Sequence, residues 1–330
     1  MRTKVFFYVW VILFVISIQA TQVIAETDSC TTVCNSTTQQ YINSTITLKI
    51  LLVEFTDIRH QTSPSAYSKD DFENMLVTSG SYVYPIMLTP DGDQVYGSMR
   101  DYFQKMSSGN LTINGLVVNT TNGNTPNWVL LPHNKQEYQN YTYDIFSDAI
   151  NIATLQGLDV SNSATVKLSI IYAGNIYFNF GGLNPRASGN SYIMSEREGR
   201  PYTQENLGDK FARIGVHCHE FAHLIGIGHS SGSRADLMEA GRRNGNGAAP
   251  APLNPGHRAL KGWLTPTVIT GQQQFDAYYS LTAPQVFRIN SNYGNDYFLI
   301  ENRRFNQTMV IGSTTVPDYN NSAFFPPARR

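Results

Sequence analysis

A chain of 330 residues with 41% hydrophobic and 15% charged side chains is long enough to bury a sizeable core, in one domain or two. Its 24 basic and 25 acidic side chains leave a net charge of −1, which gives no electrostatic reason to expect a nucleic acid or an anionic membrane as partner. Arg2 and Lys4 precede a near-unbroken apolar run from Val5 to Ile18, and V-I-A closes the polar stretch before Glu26. That order predicts a secretory signal peptide over residues 1–25. A membrane anchor is the rival reading, but the run is shorter than the roughly 20 residues a span needs. The leader holds two bases and no acid, so its removal makes the chain more acidic. A secreted, extracellular protein with no membrane partner is expected, and the sequons at Asn35, Asn43, Asn110, Asn119, Asn140, Asn306 and Asn320 agree with that compartment.

Residues 26–45 form a short N-terminal segment holding Cys30 and Cys34, which could pair with each other or could place a thiolate over a metal; the third cysteine, Cys218, reads as a small core residue. I-T-L-K-I-L-L-V-E-F (46–55) is dense in β-branched and aliphatic side chains and predicts a buried central strand. After a polar loop, Met99, Tyr102, Phe103 and Met106 recur at helical spacing over 98–107, with Gly109 as the stop. Strand patterns follow at 111–118 and 127–131, a helix at 143–155 and a strand at 166–172. The stretch 181–208, rich in Gly, Ser, Asn and Arg, reads either as the wall of a cleft or as a plain connection. The alternation predicts an α/β (α+β) fold: a mixed sheet with backing helices, on which one further helix is laid.

That further helix carries H-E-F-A-H-L-I-G-I-G-H, residues 219–229. At about 100° per residue, His219 and His223 fall within roughly 40° of each other, one turn apart, so both rings can reach one metal ion. Gly226 can leave the helix at positive φ and turn the chain so that His229 returns as the third ligand. Glu220 sits one step round from His219, beside the metal but poorly placed to bind it, which suits a general base. Three protein ligands leave a fourth position open, the mark of a catalytic zinc rather than a structural one. His217 points about 160° away from His219 and is not expected to bind metal. At this chain's own residue frequencies the five fixed residues arise by chance on the order of once in 10⁵ such chains, which sets aside ordinary surface histidines. Phe211, Ile214, Cys218, Phe221, Ala222 and Ile225 form the apolar stripe expected to pack this helix. Beyond it, 241–255 is breaker-rich, 257–263 reads as helical, and short strands follow, including 286–290 and 297–302.

The run HEFAHLIGIGH resembles the zinc signature of the metzincin peptidases, and D-L-M-E-A-G after it resembles their Met-turn, which Met238 would supply. G-S-M-R-D-Y-F-Q-K-M-S-S-G-N-L (97–111), L-N-P-G-H-R-A-L-K-G-W-L-T-P (253–266) and Y-F-L-I-E-N-R-R (297–304) resemble the secreted immune-inhibitor-A-like, or M6, peptidases. That family commonly has Asp where this chain has His229. The resemblance spans residues from about 46 to about 310; the pattern of elements predicts one unit with a catalytic part over 46–265 and a β-rich part over 266–330.

With zinc on His219, His223 and His229 and Glu220 as base toward the attacking water, the expected activity is a zinc endopeptidase acting on protein or peptide substrates. A non-catalytic zinc-binding glycoprotein would have no need of Glu220; a zinc amidohydrolase with a non-protein substrate is the other alternative. A monomer is expected, and the sequence leaves open a calcium ion alongside the zinc. Several metzincins have Tyr two residues after the Met-turn methionine, whereas this chain has Ala240. Arg242, Arg243 and Tyr192 lie near the motifs as candidates for stabilising an oxyanion, each equally readable as an ordinary loop residue.

Overall fold

The computed structural model describes residues 39–63, 66–118, 127–176, 181–198, 210–230, 235–271, 285–291, 296–303 and 308–319. The signal peptide, Cys30, Cys34 and the sequons at Asn35, Asn119, Asn306 and Asn320 lie outside them. Among the described residues no helix is long and apolar enough to cross a membrane.

In chain order the first half contains β1 (Ser44–Glu54), α1 (Lys69–Leu76), β2 (Val83–Leu88), β3 (Gln94–Tyr96), α2 (Met99–Met106), β4 (Leu111–Val117) and β5 (Trp128–Leu130). It continues with α3 (Lys135–Gln139), α4 (Ile145–Leu155), β6 (Val166–Ile176), β7 (Arg186–Ser188), β8 (Ser191–Glu198) and β9 (Lys210–Phe211). Next come α5 (Ile214–Leu224), a 3-10 segment over Ala240–Gly247 and α6 (Pro255–Leu260). The last strands are β10 (Thr267–Ile269), β11 (Val286–Asn290), β12 (Tyr297–Glu301), β13 (Thr308–Ile311) and β14 (Thr314–Pro317).

Seven strands make the main sheet in the order β4-β1-β6-β8-β7, with β5 extending the β4 edge along β1 and β9 pairing with β8. The β4, β1, β6 and β8 pairs are parallel, whereas β7 and β9 run antiparallel to β8. The fold is therefore the mixed α/β type expected from the alternation of elements. Side-chain alternation along β1 divides the core in two. Ile46, Leu48, Ile50 and Leu52 face α1, α2 and α5, while Leu51, Val53 and Phe55 face the α4 side. Each strand of this kind is covered on both faces, and so reads as a continuous apolar run.

Five elements, α1, β2, β3, β7 and β8, fall in stretches that the sequence shows as polar loop or connection. Helix α1 is eight residues long and opens with a Ser68–Asp71 capping box. Its burial of Phe72, Met75 and Leu76 offsets a length too short to be stable alone. Strand β8 occupies the middle of the stretch read as cleft wall or connection, yet it is an interior strand. Its polar residues are reconciled with burial by bonds to distant parts of the chain: Glu196 accepts from the amides of Gly174 at 2.7 Å and Gln61 at 3.1 Å. The antiparallel edge strand β7, from the same stretch, borders the site described next.

Candidate metal centre

Helix α5 begins without a side-chain cap at Arg213 and is buried almost all round, so the expected division into one packing face and one open face is replaced by a central helix. Phe211 precedes it on β9, and Phe221 packs on Phe103 of α2 at a ring separation of 4.9 Å. At the far end, Gly226 adopts φ 75°, its amide donating to His223 O at 2.9 Å, while the Ile227 amide donates to Ala222 O at 3.0 Å. These two bonds are a Schellman motif, which ends the helix and reverses the chain. The turn foreseen at Gly226 is thus formed by backbone bonding as well as by glycine's freedom.

The reversal brings three imidazoles together. Nε2 of His219 lies 3.2 Å from Nε2 of His229, His223 Nε2 lies 3.3 Å from that of His219, and His223 to His229 is 3.2 Å. Among the described residues this is the one group of His, Cys, Asp or Glu arranged to hold a metal. A tetrahedral ion with metal–nitrogen bonds near 2.0–2.1 Å has ligand edges of about 3.3–3.4 Å, so the three nitrogens already mark one face of such a tetrahedron. Tautomers fit as well. His219 Nδ1 is 3.0 Å from Leu237 O and His223 Nδ1 is 2.8 Å from Ile227 O. A carbonyl can only accept, so both Nδ1 atoms carry the proton and both Nε2 lone pairs face the centre. Lone pairs converging at this distance repel one another unless a cation lies between them. Burial lowers the His219 value to about 3 and lowers that of His223, which keeps both rings in the neutral form that binds metal.

Glu220 is 5% exposed and accepts a hydrogen bond from the backbone amide of Ala187 on the edge strand β7. Burial raises its pKa to about 7, against the opposing charges of Arg242 and Arg186 and that amide bond. The positive charge of a bound dication would act in the lowering direction too. Leu237, whose carbonyl orients His219, immediately precedes Met238, and Met238 is fully buried. The segment that carries Met238 therefore lies against the His219 ring.

His217 faces the sheet instead of the cluster: its Nδ1 is 3.0 Å from the Tyr192 hydroxyl, and burial lowers its pKa to about 3. Tyr192 is fully buried in that contact. Arg242 is half-buried on the 3-10 segment, donates to Glu239 O at 2.5 Å, and its charge acts on His219, His223 and Glu220. Cys218 is a buried free thiol on α5. Missing from the sequence reading is Asp236, 2% exposed, which accepts from Ser230 Oγ, from the Met238 amide at 3.2 Å and from Asn254 Nδ2 at 2.7 Å. Its place two residues before Met238 was the available signal.

No family model and no curated protein matches this chain. Among solved structures, the fold was compared with two crystal forms of wild-type OgpA from Akkermansia muciniphila. One gives 14% identity and a TM-score of 0.36, covering 68% of this chain and 60% of OgpA. The other gives 14% and 0.36 over 82% of this chain and 73% of that one. In the first of these matches the chain spans less than two thirds of OgpA's length.

Proposed function

We propose that this chain is a secreted zinc endopeptidase of the metzincin type, most like the M6 peptidases. The observation that carries the reading is the triangle of Nε2 atoms, 3.2–3.3 Å apart, with His219 and His223 held in the ligating tautomer and a buried carboxyl on the residue after His219. Zinc bound there would supply Lewis acidity, lowering the pKa of a water toward neutrality and polarising a carbonyl. The chain's own part is to place a base beside it. Glu220, whose carboxyl burial pushes up and a bound dication would bring down, can accept a proton near neutral pH and return it to a leaving amine. Arg242 adds a positive charge that acts on Glu220, in a chain that has Ala240 in place of a tyrosine. The β7 edge, whose Ala187 amide engages Glu220, is a strand beside which an extended peptide could lie. Secretion is supported by the leader-like residues 1–25, and Asn43 and Asn140 are exposed, as glycan acceptors must be.

The deciding experiment is Glu220→Gln. The amide keeps the size of the side chain and loses the ability to accept the proton. Turnover of casein or a fluorogenic peptide should fall by about 10²- to 10⁴-fold, with zinc content and melting temperature unchanged on the same sample. Unchanged turnover removes the mechanism; lost zinc shows that Glu220 supports the metal instead.

A further inference from the structure

Helix α5 fixes His219 and His223 on one rigid turn, but His229 lies beyond the Gly226 reversal and its side chain is exposed. Something other than α5 has to set its position. The residue after it, Ser230, donates its hydroxyl to Asp236. Asp236 is in turn held by the Asn254 amide at 3.3 Å and side chain at 2.7 Å, with His257 Nδ1 at 3.8 Å. Its neighbour Ala235 offers its carbonyl to Arg303, which also donates to Leu253 O at 3.2 Å. Arg303 Nε meets Glu301 at 2.7 Å, and the other oxygen of Glu301 meets Arg258 Nη1 at 2.9 Å. Arg258 is 1% exposed and sits on α6, whose N-cap is Asn254. The two stretches L-N-P-G-H-R (253–258) and Y-F-L-I-E-N-R (297–303), far apart in the chain and neither of them part of the metal signature, thus close on the same point behind the third histidine.

We propose that Arg303, held by Glu301, acts through Ala235, Asp236 and Ser230 as a positioning residue for His229, so that the β-rich end of the chain sets the metal affinity of the site. The inference rests on the metal-site reading above. Its logic is that of outer-shell partners generally: a ligand whose ring is free to swing loses affinity, and a bond network that fixes the backbone beside it restores it. A charged, buried network suits this purpose because its members are costly to separate, so the loop is held in one arrangement.

The test uses the full chain and reads zinc affinity by competition with a chromophoric chelator, the visible spectrum of the cobalt-substituted protein, and the melting temperature of the metal-free form. Ser230→Ala and Arg303→Met should each weaken zinc by about tenfold or more and alter the cobalt spectrum. The double variant should lose less than the product of the two, because both act along one path. Arg303→Lys should recover part of the loss. Tyr138→Phe, which removes a bond from its hydroxyl to Asp148 at 2.8 Å in the core on the α4 side, should lower the melting temperature and leave zinc affinity alone. Should Arg303→Met fail to fold, Ser230→Ala carries the test, since that side chain is only half-buried. Zinc affinities within about twofold of the parent in the folded variants, or strictly multiplicative losses, overturn the proposal. A parent protein that binds no zinc overturns the metal-site reading itself, a result distinct from a tight-binding parent with unaffected variants.

Discussion

The three histidines do unequal work. His219 and His223 each spend one ring nitrogen on a backbone carbonyl, at 3.0 and 2.8 Å, and offer the other to the centre. His229 joins them from the exposed side. His229→Ala should therefore strip one of three ligands and lower zinc affinity by orders of magnitude, whereas the fold, built on α5 and the sheet, should persist; metal analysis and circular dichroism on one sample read both. His217, two residues from His219 and equally rich in chemistry, is a packing residue tied to Tyr192. Tyr192→Phe removes that bond inside a fully buried contact and should cost about 1–3 kcal/mol of stability without changing zinc content. Chemical denaturation and metal analysis together check this, and a loss of zinc would mean that the Tyr192–His217 pair reaches the site.

At the scale of elements, two glycines decide whether α5 can be where it is. Gly226, at φ 75°, forms the reversal, and a Cβ there would approach Lys261 Nζ to 3.2 Å. Gly226→Ala should cost about 1–2 kcal/mol through the left-handed backbone and should also weaken zinc, because strain relieved at the turn moves His229. Gly215 lets the 3-10 segment lie directly on α5: an added Cβ would stand 1.9 Å from Arg242 O. Gly215→Ala should accordingly reach the upper end of the about 1–3 kcal/mol typical of overpacking, with Arg242 displaced from the site. Thermal melts rank the two, and a Gly215→Ala protein as stable as its parent would contradict this packing.

For the whole molecule, the Glu301 network predicts a pH dependence. Burial by itself raises the Glu301 pKa, but Arg303 and Arg258 outweigh it and the net shift is downward. A lowered value in the folded state means that the unfolded chain binds the proton more readily. The stabilisation is therefore fully present above the ordinary glutamate pKa of about 4.3 and is lost as pH falls from there through the folded value. Glu301→Gln should flatten this acid limb of the stability curve relative to the parent, measured on metal-free protein so that release of zinc does not contribute. An acid limb of unchanged slope would show that other carboxyls carry it.

The spacing of H-E-F-A-H-L-I-G-I-G-H determined a great deal alone, because the helix period and one glycine turn are local properties: they put His219, Glu220 and His223 on one turn and send the chain back toward them with His229. The aliphatic run at 46–55 likewise specified a central strand, since a segment apolar on both faces can satisfy itself only between two layers. What the chain could not show was anything that depends on distant partners. Strand β8 looks polar until its carboxyl at Glu196 meets the amides of Gly174 and Gln61. Asp236 looks like a loop residue until Ser230, Asn254 and His257 close around it, and Arg303 has no evident purpose until it reaches Ala235. Those assignments belong to tertiary structure because burial of a charge is tolerable only where its partners converge, and convergence across the chain leaves no periodic trace in the sequence.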